Sequence, residues 1–306
     1  MIHKLLRTSF VAALSIVLLA ACAPNQNNRS DLTWDTLQDS TDIVQQISNG
    51  LQGPEGVRYD PQQDVYFISN FNGDGNARDA NGFITKASAA NGEIQELKYM
   101  TGTDEFPLHA PRGMYISSNT LWVTDVDGVH GFNTQTGEHE DFVDFSSLEP
   151  GFLNDIVEGP DGHLYVTDTG ESALYKIRGM EAEVVLSSLP SPPNGITLDP
   201  KSNELLLAPW DGYITFLKWK PGLKSANYAF TVGGGNFDGI EYLDNRLIVA
   251  SQTDKSIHMQ HAGKEQMVIE TPGLPADIGL DTKRKHIAVP YIAKNRVDIW
   301  KLPRIN

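Results

Sequence analysis

Six similar stretches recur along the chain at intervals of about forty residues. Each contains a distinctive residue, a short apolar strand, a turn rich in Asp, Pro, Asn or Gly, and a second apolar strand. They are GPEGVRYDPQQDVYFIS from Gly53, APRGMYISSNTLWVTD from Ala110, FLNDIVEGPDGHLYVTD from Phe152, PPNGITLDPKSNELLLAP from Pro192, NFDGIEYLDNRLIVAS from Asn236 and LPADIGLDTKRKHIAVP from Leu274. One or two weaker β stretches follow each of them, and four strands in about forty residues are typical of a propeller blade. The repeat therefore predicts an all-β fold, a six-bladed β-propeller.

The last unit has room for only three strands before the chain ends at Asn306. The β-like segment TDIVQQIS, residues 41–48, precedes the first unit. We expect this segment to supply the missing outer strand, because closing the ring removes an exposed strand edge. A sandwich or an open β array is the alternative, and the even spacing of the units disfavours it.

The first residues read as a targeting segment. Lys4 and Arg7 precede an apolar run from Phe10 to Ala21, and Leu19-Ala20-Ala21-Cys22 resembles a bacterial lipobox. This predicts a signal peptide over 1–21, lipidation of Cys22, a polar tether over 22–40 and the propeller over 41–306. The expected location is the bacterial cell envelope, with a lipid anchor at the periplasmic face of the outer membrane. An ordinary signal peptide with an incidental cysteine is the alternative.

Cysteine content and charge exclude several kinds of chemistry. Cys22 is the only cysteine, so the chain can form no internal disulfide, and no other thiol is available for catalysis or metal binding. The net charge is −15, and removing residues 1–21 removes two positive and no negative charges, which gives −17. Such a chain repels phosphate backbones, so we expect no nucleic-acid partner, whereas cations are attracted. We expect a monomer with a small-molecule substrate.

The same position of each unit carries chemically related residues. Just before the first apolar strand these slots hold Glu55, Arg112, Asn154, Asn194, Asp238 and Ala276. In a propeller the first strand of each blade is innermost, so the slots should ring one mouth of the central channel. Four of the six offer side-chain oxygens, and two buried carboxylates without a counter-charge would be costly. Caps for backbone groups would explain one Asn, but four such residues in one register favour a bound cation.

The donor types indicate which cation this would be. Two carboxylates and two amide oxygens suit Ca²⁺, a hard ion that takes about 6–8 oxygen ligands, although another divalent cation is possible. No Cys or His stands in the six slots, which disfavours a zinc-type site.

Several motifs together resemble the senescence marker protein/gluconolactonase family, which includes regucalcin, diisopropyl fluorophosphatase and, more distantly, paraoxonases. The motifs are GPEGV, LNDI with PDGHLYVTD, PPNGI with LDP, and FDGI with RLIVAS, and the likeness covers roughly residues 50–300. The resemblance implies a six-bladed propeller whose divalent ion, usually Ca²⁺, is held by Glu55, Asn154, Asn194 and Asp238. It also implies hydrolysis of lactones, esters or phosphotriesters. The residue matching Asn154 can lie nearer the substrate in regucalcin-like members, so a role in catalysis is also expected for it.

The resemblance and the rim position suggest further roles. By analogy, Asp238 would act as general base or nucleophile. Arg112 could clamp a substrate carboxylate or phosphate, or simply pair with a rim Asp. His109 could shuttle a proton, or hydrogen-bond a loop. Loops that follow the second strands should reach the same rim, which makes Asp125 and Asp168 candidate substrate contacts, together with Asn70, Asp127 and Asp211.

A long loop, NFNGDGNARDANG over residues 70–82, should overhang the site. It lacks the spaced acids of an EF-hand, and the chain has no G-x-S-x-G, H-E-x-x-H or phosphate-binding G-x-x-x-x-G-K motif. The favoured hypothesis is a Ca²⁺-dependent hydrolase of lactones or related esters, tethered to a membrane. The alternative is a non-catalytic envelope propeller that binds a ligand or a protein, and a third interpretation makes the ion purely structural.

Overall fold

The computed structural model describes residues 42–303. The predicted signal peptide, Cys22 and the tether lie outside this range. The described chain is all-β, with 24 strands and two short 3-10 helices at Ser146–Leu148 and Ile292–Lys294. In this range no helix has the length and apolarity needed to cross a bilayer. The strands form six antiparallel sheets of four, which confirms the predicted six-bladed propeller.

Five blades are built from consecutive strands. Their bounds are β2 Pro54–Asp60, β3 Val65–Asn70, β4 Phe83–Ser88 and β5 Ile94–Thr101 in blade 1; β6 Met114–Ser117, β7 Thr120–Thr124, β8 Gly128–Asn133 and β9 His139–Asp144 in blade 2; β10 Leu153–Glu158, β11 Leu164–Asp168, β12 Ala173–Arg178 and β13 Glu181–Leu186 in blade 3; β14 Pro193–Asp199, β15 Glu204–Pro209, β16 Thr215–Trp219 and β17 Asn227–Thr231 in blade 4; β18 Phe237–Leu243, β19 Arg246–Ser251, β20 Ser256–His261 and β21 Lys264–Glu270 in blade 5.

Blade 6 combines both ends of the described chain. It contains β22 Gly279–Asp281, β23 His286–Tyr291 and β24 Arg296–Lys301, and β1 Ile43–Ile47 pairs antiparallel with β24. The strand order β1-β24-β23-β22 makes β1 the outer strand of this sheet. Ile47 lies opposite Val297 and is buried in a cluster with Val57 of blade 1.

The core lies between neighbouring blades. Val143 and Phe145 of blade 2, for example, share a cluster with Val166 and Tyr175 of blade 3. Each blade packs between two other blades, so its inner strands are covered on both faces. In blade 1, β2 and β3 are buried at every position, whereas the outer strand β5 mixes exposed and partly buried residues. Burial on both faces explains why the second strand of each unit, such as VYFISN or ELLLAP, is a nearly continuous apolar run.

The innermost strands share an irregularity that matters for the channel. The pairing of the first strand with the second shifts register between Pro54 and Val57 in blade 1 and between Leu153 and Ile156 in blade 3. Blades 4 and 5 repeat the shift, between Pro193 and Ile196 and between Phe237 and Ile240. A β-bulge bends its strand and re-aims side chains. In all four blades the bulge contains the oxygen-bearing slot residue.

Candidate functional site

The four predicted oxygen-bearing residues line one cavity at a mouth of the channel. Glu55 is 3 % exposed, and Asn154, Asn194 and Asp238 are each 4 % exposed. All four border a cavity of about 380 Å³. The structure thus brings together residues that are up to 183 positions apart in the chain (238 − 55).

Each of the four residues presents a buried oxygen that has no hydrogen-bond partner within residues 42–303. These atoms are Glu55 Oε2, Asn154 Oδ1, Asn194 Oδ1 and Asp238 Oδ1. Two of the side chains are anchored through their other polar atom. Asn154 Nδ2 donates to Thr169 Oγ1 at 3.0 Å, and Gln252 Nε2 donates to Asp238 Oδ2 at 2.7 Å. Buried oxygens are rarely left unpartnered, so four around one cavity form an arrangement suited to a cation.

The electrostatics of the cavity lead to the same conclusion. Burial, reinforced by the charge of Asp155, raises the pKa of Asp238 to about 7. Burial and the charges of Asp238, Asp277 and Asp155 also raise the pKa of Glu55 well above its usual range. Carboxylates that resist ionisation in this way are stabilised in their charged form by a nearby cation.

Small residues allow the inner strands to meet around the channel. Glycine follows the slot residue in four blades, at Gly56, Gly113, Gly195 and Gly239. A Cβ on Gly195 would overlap the backbone carbonyl of Asp238, and one on Gly239 would overlap the backbone nitrogen of Ile278. Close backbone approach between neighbouring blades therefore requires glycine here.

Hydroxyl groups of the second strands support the bulges. Ser69 Oγ accepts a hydrogen bond from the Gly56 N–H at 2.8 Å, and Thr167 Oγ1 accepts one from Asp155 N–H at 3.0 Å. Thr167 also donates to the carbonyl oxygen of Asn194 at 2.6 Å, which ties blade 3 to blade 4. These bonds satisfy backbone groups that the bulge removes from the strand ladder.

The rim of the cavity is largely apolar. Phe71, Phe152, Trp210 and Ile292 line it, together with Thr169, Gly170 and Gln252. All except Phe152 come directly after the second strand of their blade. Loops that follow the second strands therefore do reach this rim. Three of the lining residues, Phe71, Thr169 and Trp210, directly adjoin the predicted residues Asn70, Asp168 and Asp211, which do not line the cavity themselves.

Asp125 and Asp168, predicted as substrate contacts, do not line the cavity. Both are fully buried. Asp125 accepts the backbone N–H groups of His109 and Ala110, and Asp168 accepts those of Gly151 and Phe152. Asn70, at the equivalent position of blade 1, accepts the backbone N–H of Gln52 in the same way. These side chains hold the segment that leads into the inner strand, so the structure gives them a structural role.

Arg112 is fully buried and does not line the cavity either. Its guanidinium lies 3.8 Å from the centre of the Phe152 ring and donates to Leu153 O at 3.0 Å. It also donates to Gly75 O and to Asn76 Oδ1, both in the long loop of blade 1. Burial lowers the pKa of Arg112 to about 10. Within residues 42–303 Arg112 forms no salt bridge, although the charges of Asp125, Glu55 and Asp168 oppose the lowering of its pKa. Its roles as a substrate clamp or as the partner of a rim Asp stay predictions.

His109 contacts the same loop. It is 7 % exposed, and its Nδ1 accepts the backbone N–H of Ala80 at 3.1 Å. The sequence analysis offered two roles for His109, a proton shuttle or a hydrogen bond to a loop, and this contact is such a hydrogen bond. Together Arg112 and His109 hold the loop of residues 71–82, whose first residue, Phe71, lines the cavity.

Sequence reasoning missed a charged group that bridges the blades next to the site. Arg58 lies 3.2 Å from Asp155, 3.0 Å from Asp277 and 3.7 Å from Glu241. Asp155 and Asp277 occupy the position that is Gly56, Gly113, Gly195 or Gly239 in the other blades. A comparison of the residues that follow the slots would have shown these two exceptions.

Comparison with known proteins supports the fold assignment. Neither protein-family models nor curated proteins match the sequence. Among solved structures, a putative gluconolactonase superposes with a TM-score of 0.65 at 15 % identity, covering 84 % of this chain and 92 % of that one. The chain is structurally similar to gluconolactonases. A gluconolactonase from Xanthomonas campestris gives a TM-score of 0.65 at 14 % identity, with coverage of 84 % and 88 %.

A second kind of propeller enzyme is also similar. A streptogramin B lyase superposes with a TM-score of 0.60 at 12 % identity, covering 84 % of this chain and 97 % of that chain. At these identities the similarity establishes a shared fold. The activity has to be argued from the site.

The buried acids make the stability of the cation-free protein depend on pH. Burial raises the pKa of Glu241 to about 7, with Arg58 opposing the shift. Between its ordinary value of about 4.3 and about 7, the folded state keeps a proton that the unfolded chain has released. This stabilising contribution is present in full below the ordinary pKa and is lost as the pH rises through about 7.

In EDTA, the free energy of unfolding should therefore fall from pH 5 to pH 8, by at most about 1.4 kcal/mol per pH unit for each such group. Urea denaturation across this range measures it. Glu241→Gln should flatten the slope, whereas Glu105→Gln, at an exposed position, should leave it unchanged. Equal slopes for wild type and Glu241→Gln would contradict the prediction.

Proposed function

We propose that the protein is a divalent-cation-dependent hydrolase of lactones or related esters, acting in the cavity at the channel mouth. The observation that carries the proposal is the set of four buried, unpartnered oxygens on Glu55, Asn154, Asn194 and Asp238. A donor set of oxygens alone, with two carboxylates, fits Ca²⁺ better than a softer ion. A cation bound there would polarise the carbonyl oxygen of a substrate.

Asp238 is the residue best placed to handle a proton. Gln252 fixes its Oδ2, while its Oδ1 is left without a partner. We propose that this carboxylate accepts the proton of water as the water oxygen bonds to the carbonyl carbon and the ester C–O bond breaks. In the alternative it attacks the carbonyl carbon itself, the ester C–O bond breaks, and water then hydrolyses the acyl-enzyme. Asn154, oriented by Thr169, would hold its Oδ1 toward both the cation and the substrate. These two residues are the proposed catalytic pair.

Replacing Asp238 should strongly reduce turnover. With a panel of lactones and aryl esters, Asp238→Asn should lower kcat/KM by about 10²–10⁴-fold, the range for loss of a general base. EDTA should do the same to the wild type, and added Ca²⁺ should restore activity. Asp211→Asn serves as the control, because Asp211 is exposed and does not line the cavity.

Metal analysis separates this proposal from its alternatives. The wild type should retain about one Ca²⁺ per chain after desalting, and Glu55→Gln should lose it. Bound Ca²⁺ with no turnover on any substrate would instead favour the non-catalytic binding propeller. Activity that survives EDTA, together with a lowered Tm, would favour a purely structural ion.

The cavity lining suggests the kind of substrate. Its floor is polar, but four apolar side chains form its rim, and no Arg or Lys is among the lining residues. Such a rim would bury an alkyl or aryl substituent, whereas a polyhydroxylated sugar ring would leave hydroxyl groups against apolar surface. We therefore propose a preference for lactones or esters with an apolar substituent.

Trp210→Ala should lower kcat/KM for an alkyl- or aryl-substituted lactone by about 10–100-fold, because an apolar contact of about 1.5–3 kcal/mol is lost. Turnover of gluconolactone should change little. Tyr213→Ala provides the matched control, since Tyr213 is 49 % exposed and does not line the cavity. Equal losses on both substrates in steady-state assays would contradict the proposed selectivity.

We also propose that the protein is anchored to the bacterial envelope through lipid on Cys22, as the segment ahead of the propeller predicts. Metabolic labelling with a radioactive fatty acid should mark the wild type and recover it with membranes. Cys22→Ser should be unlabelled and soluble. Labelling that persists in Cys22→Ser would exclude this anchor.

A further inference from the structure

A second group of possible cation ligands lies in blade 2, apart from the channel oxygens. Asp125 and Asp127 follow β7, and His130 lies in β8. Their ligand atoms all lie within 4.8 Å of one another. Asp125 N–H donates to Gly128 O at 2.8 Å, which closes the turn that carries the two acids. The three residues therefore form one compact hairpin site with the pattern D-x-D-x-x-H.

The imidazole of His130 is what distinguishes this group from an ordinary acidic turn. The side chain is fully buried, and its Nε2 has no hydrogen-bond partner among the described residues. That nitrogen lies 3.5 Å from Asp125 Oδ2. Asp127 Oδ1 is also buried and has no hydrogen-bond partner among the described residues. Apart from the long contact of His130 with Asp125, this leaves a buried nitrogen and a buried carboxylate oxygen in one cluster without a hydrogen bond, which is rare unless a ligand joins them.

The other nitrogen of His130 has a partner, as in metal-binding histidines. His130 Nδ1 lies 2.9 Å from His139 Nε2. When Nδ1 donates its proton to His139, the lone pair of Nε2 points toward the two acids. A ligating histidine commonly donates its second N–H in this way, and the contact fixes both its tautomer and its orientation.

Neighbouring groups contact the two carboxylates but leave lone pairs on each of them for a ligand. His109 Nδ1 accepts the Ala80 N–H, so its Nε2 carries a proton and faces Asp127 Oδ2 at 3.5 Å as a donor. Arg78 Nη1 lies 3.0 Å from the same Oδ2. These two contacts hold one oxygen of Asp127 and leave Oδ1 for a ligand. Asp125 accepts two backbone N–H groups, and its oxygens retain further lone pairs.

We infer that Asp125, Asp127 and His130 form a second divalent-cation site, independent of the channel mouth, that takes a first-row transition ion such as Zn²⁺ or Mn²⁺. One imidazole nitrogen and two carboxylates favour such an ion over Ca²⁺, which prefers oxygen ligands alone. Asp125 holds the segment that leads into the inner strand of blade 2, and Asp127 pairs with Arg78 of the 71–82 loop. A cation there would join these two segments.

The test uses the chelator-stripped and desalted full chain in excess Ca²⁺, titrated with Zn²⁺ and, separately, with Co²⁺, whose visible absorption reports the coordination geometry of a protein-bound ion. Wild type should bind one equivalent of Zn²⁺. His130→Gln and Asp127→Asn should each weaken Zn²⁺ binding at least about tenfold. Loss of a group that only hydrogen-bonds a metal ligand already costs about 10–100-fold, and these two variants change the ligands themselves. Asp238→Asn should retain the Zn²⁺ site, because it alters the channel mouth only.

A second histidine provides the matched control. His258 is also buried, but Asp254 and Glu265 occupy both of its nitrogens. His258→Gln should therefore keep the Zn²⁺ equivalent and the Co²⁺ spectrum. Asp127 is 20 % exposed, so Asp127→Asn should fold even if His130→Gln does not. Absence of a stoichiometric Zn²⁺ equivalent in wild type, or its loss in Asp238→Asn or His258→Gln instead, would overturn the inference.

Discussion

Charge compensation along the channel is the constraint on which the rest of this propeller depends. Five buried or half-buried acids meet there, on Glu55, Asp155, Asp238, Glu241 and Asp277, and Arg58 is the basic group that pairs with three of them. With all five ionised and Arg58 as their direct partner the sum is −4, and Arg112 acts on Glu55 only through its charge. Buried carboxylates do not sustain such an excess without further counter-ions. The raised pKa values of Asp238 and Glu241 favour their neutral forms, which removes part of this negative charge. A divalent cation at the mouth would compensate much of the remainder.

The repeat explains how much of this was visible in the sequence. A unit of about forty residues predicts the blade, and equivalent slots predict which side chains share a mouth, because both follow from periodicity alone. The ring of Glu55, Asn154, Asn194 and Asp238 was therefore predictable before any coordinates. The charged contacts between blades were not predictable, since their partners lie far apart in the sequence. Arg58, for instance, reaches Asp155 and Asp277, which are 97 and 219 residues away in sequence (155 − 58 and 277 − 58).

Local geometry explains the errors at the rim. Successive residues of a strand point in opposite directions, so a shift of one position decides whether a side chain faces the cavity or the backbone. Asp168 turns back to cap Gly151 and Phe152, while the next residue, Thr169, lines the cavity. The sequence located the rim but not which of two neighbours would face it. The bulges that aim the slot residues inward were equally invisible, because they depend on pairing with the second strand.

The long loop of blade 1 connects the cavity to blade 2. Phe71, at its start, lines the cavity, while Gly75 and Asn76 receive the guanidinium of Arg112. Further along, Arg78 pairs with Asp127, and Ala80 donates to His109. These contacts all join the loop to blade 2. In that blade the slot residue is an arginine rather than an oxygen donor. That exchange is consistent with the rest of the site: blade 2, one of the two blades whose slot offers no oxygen, instead positions the loop beside the mouth.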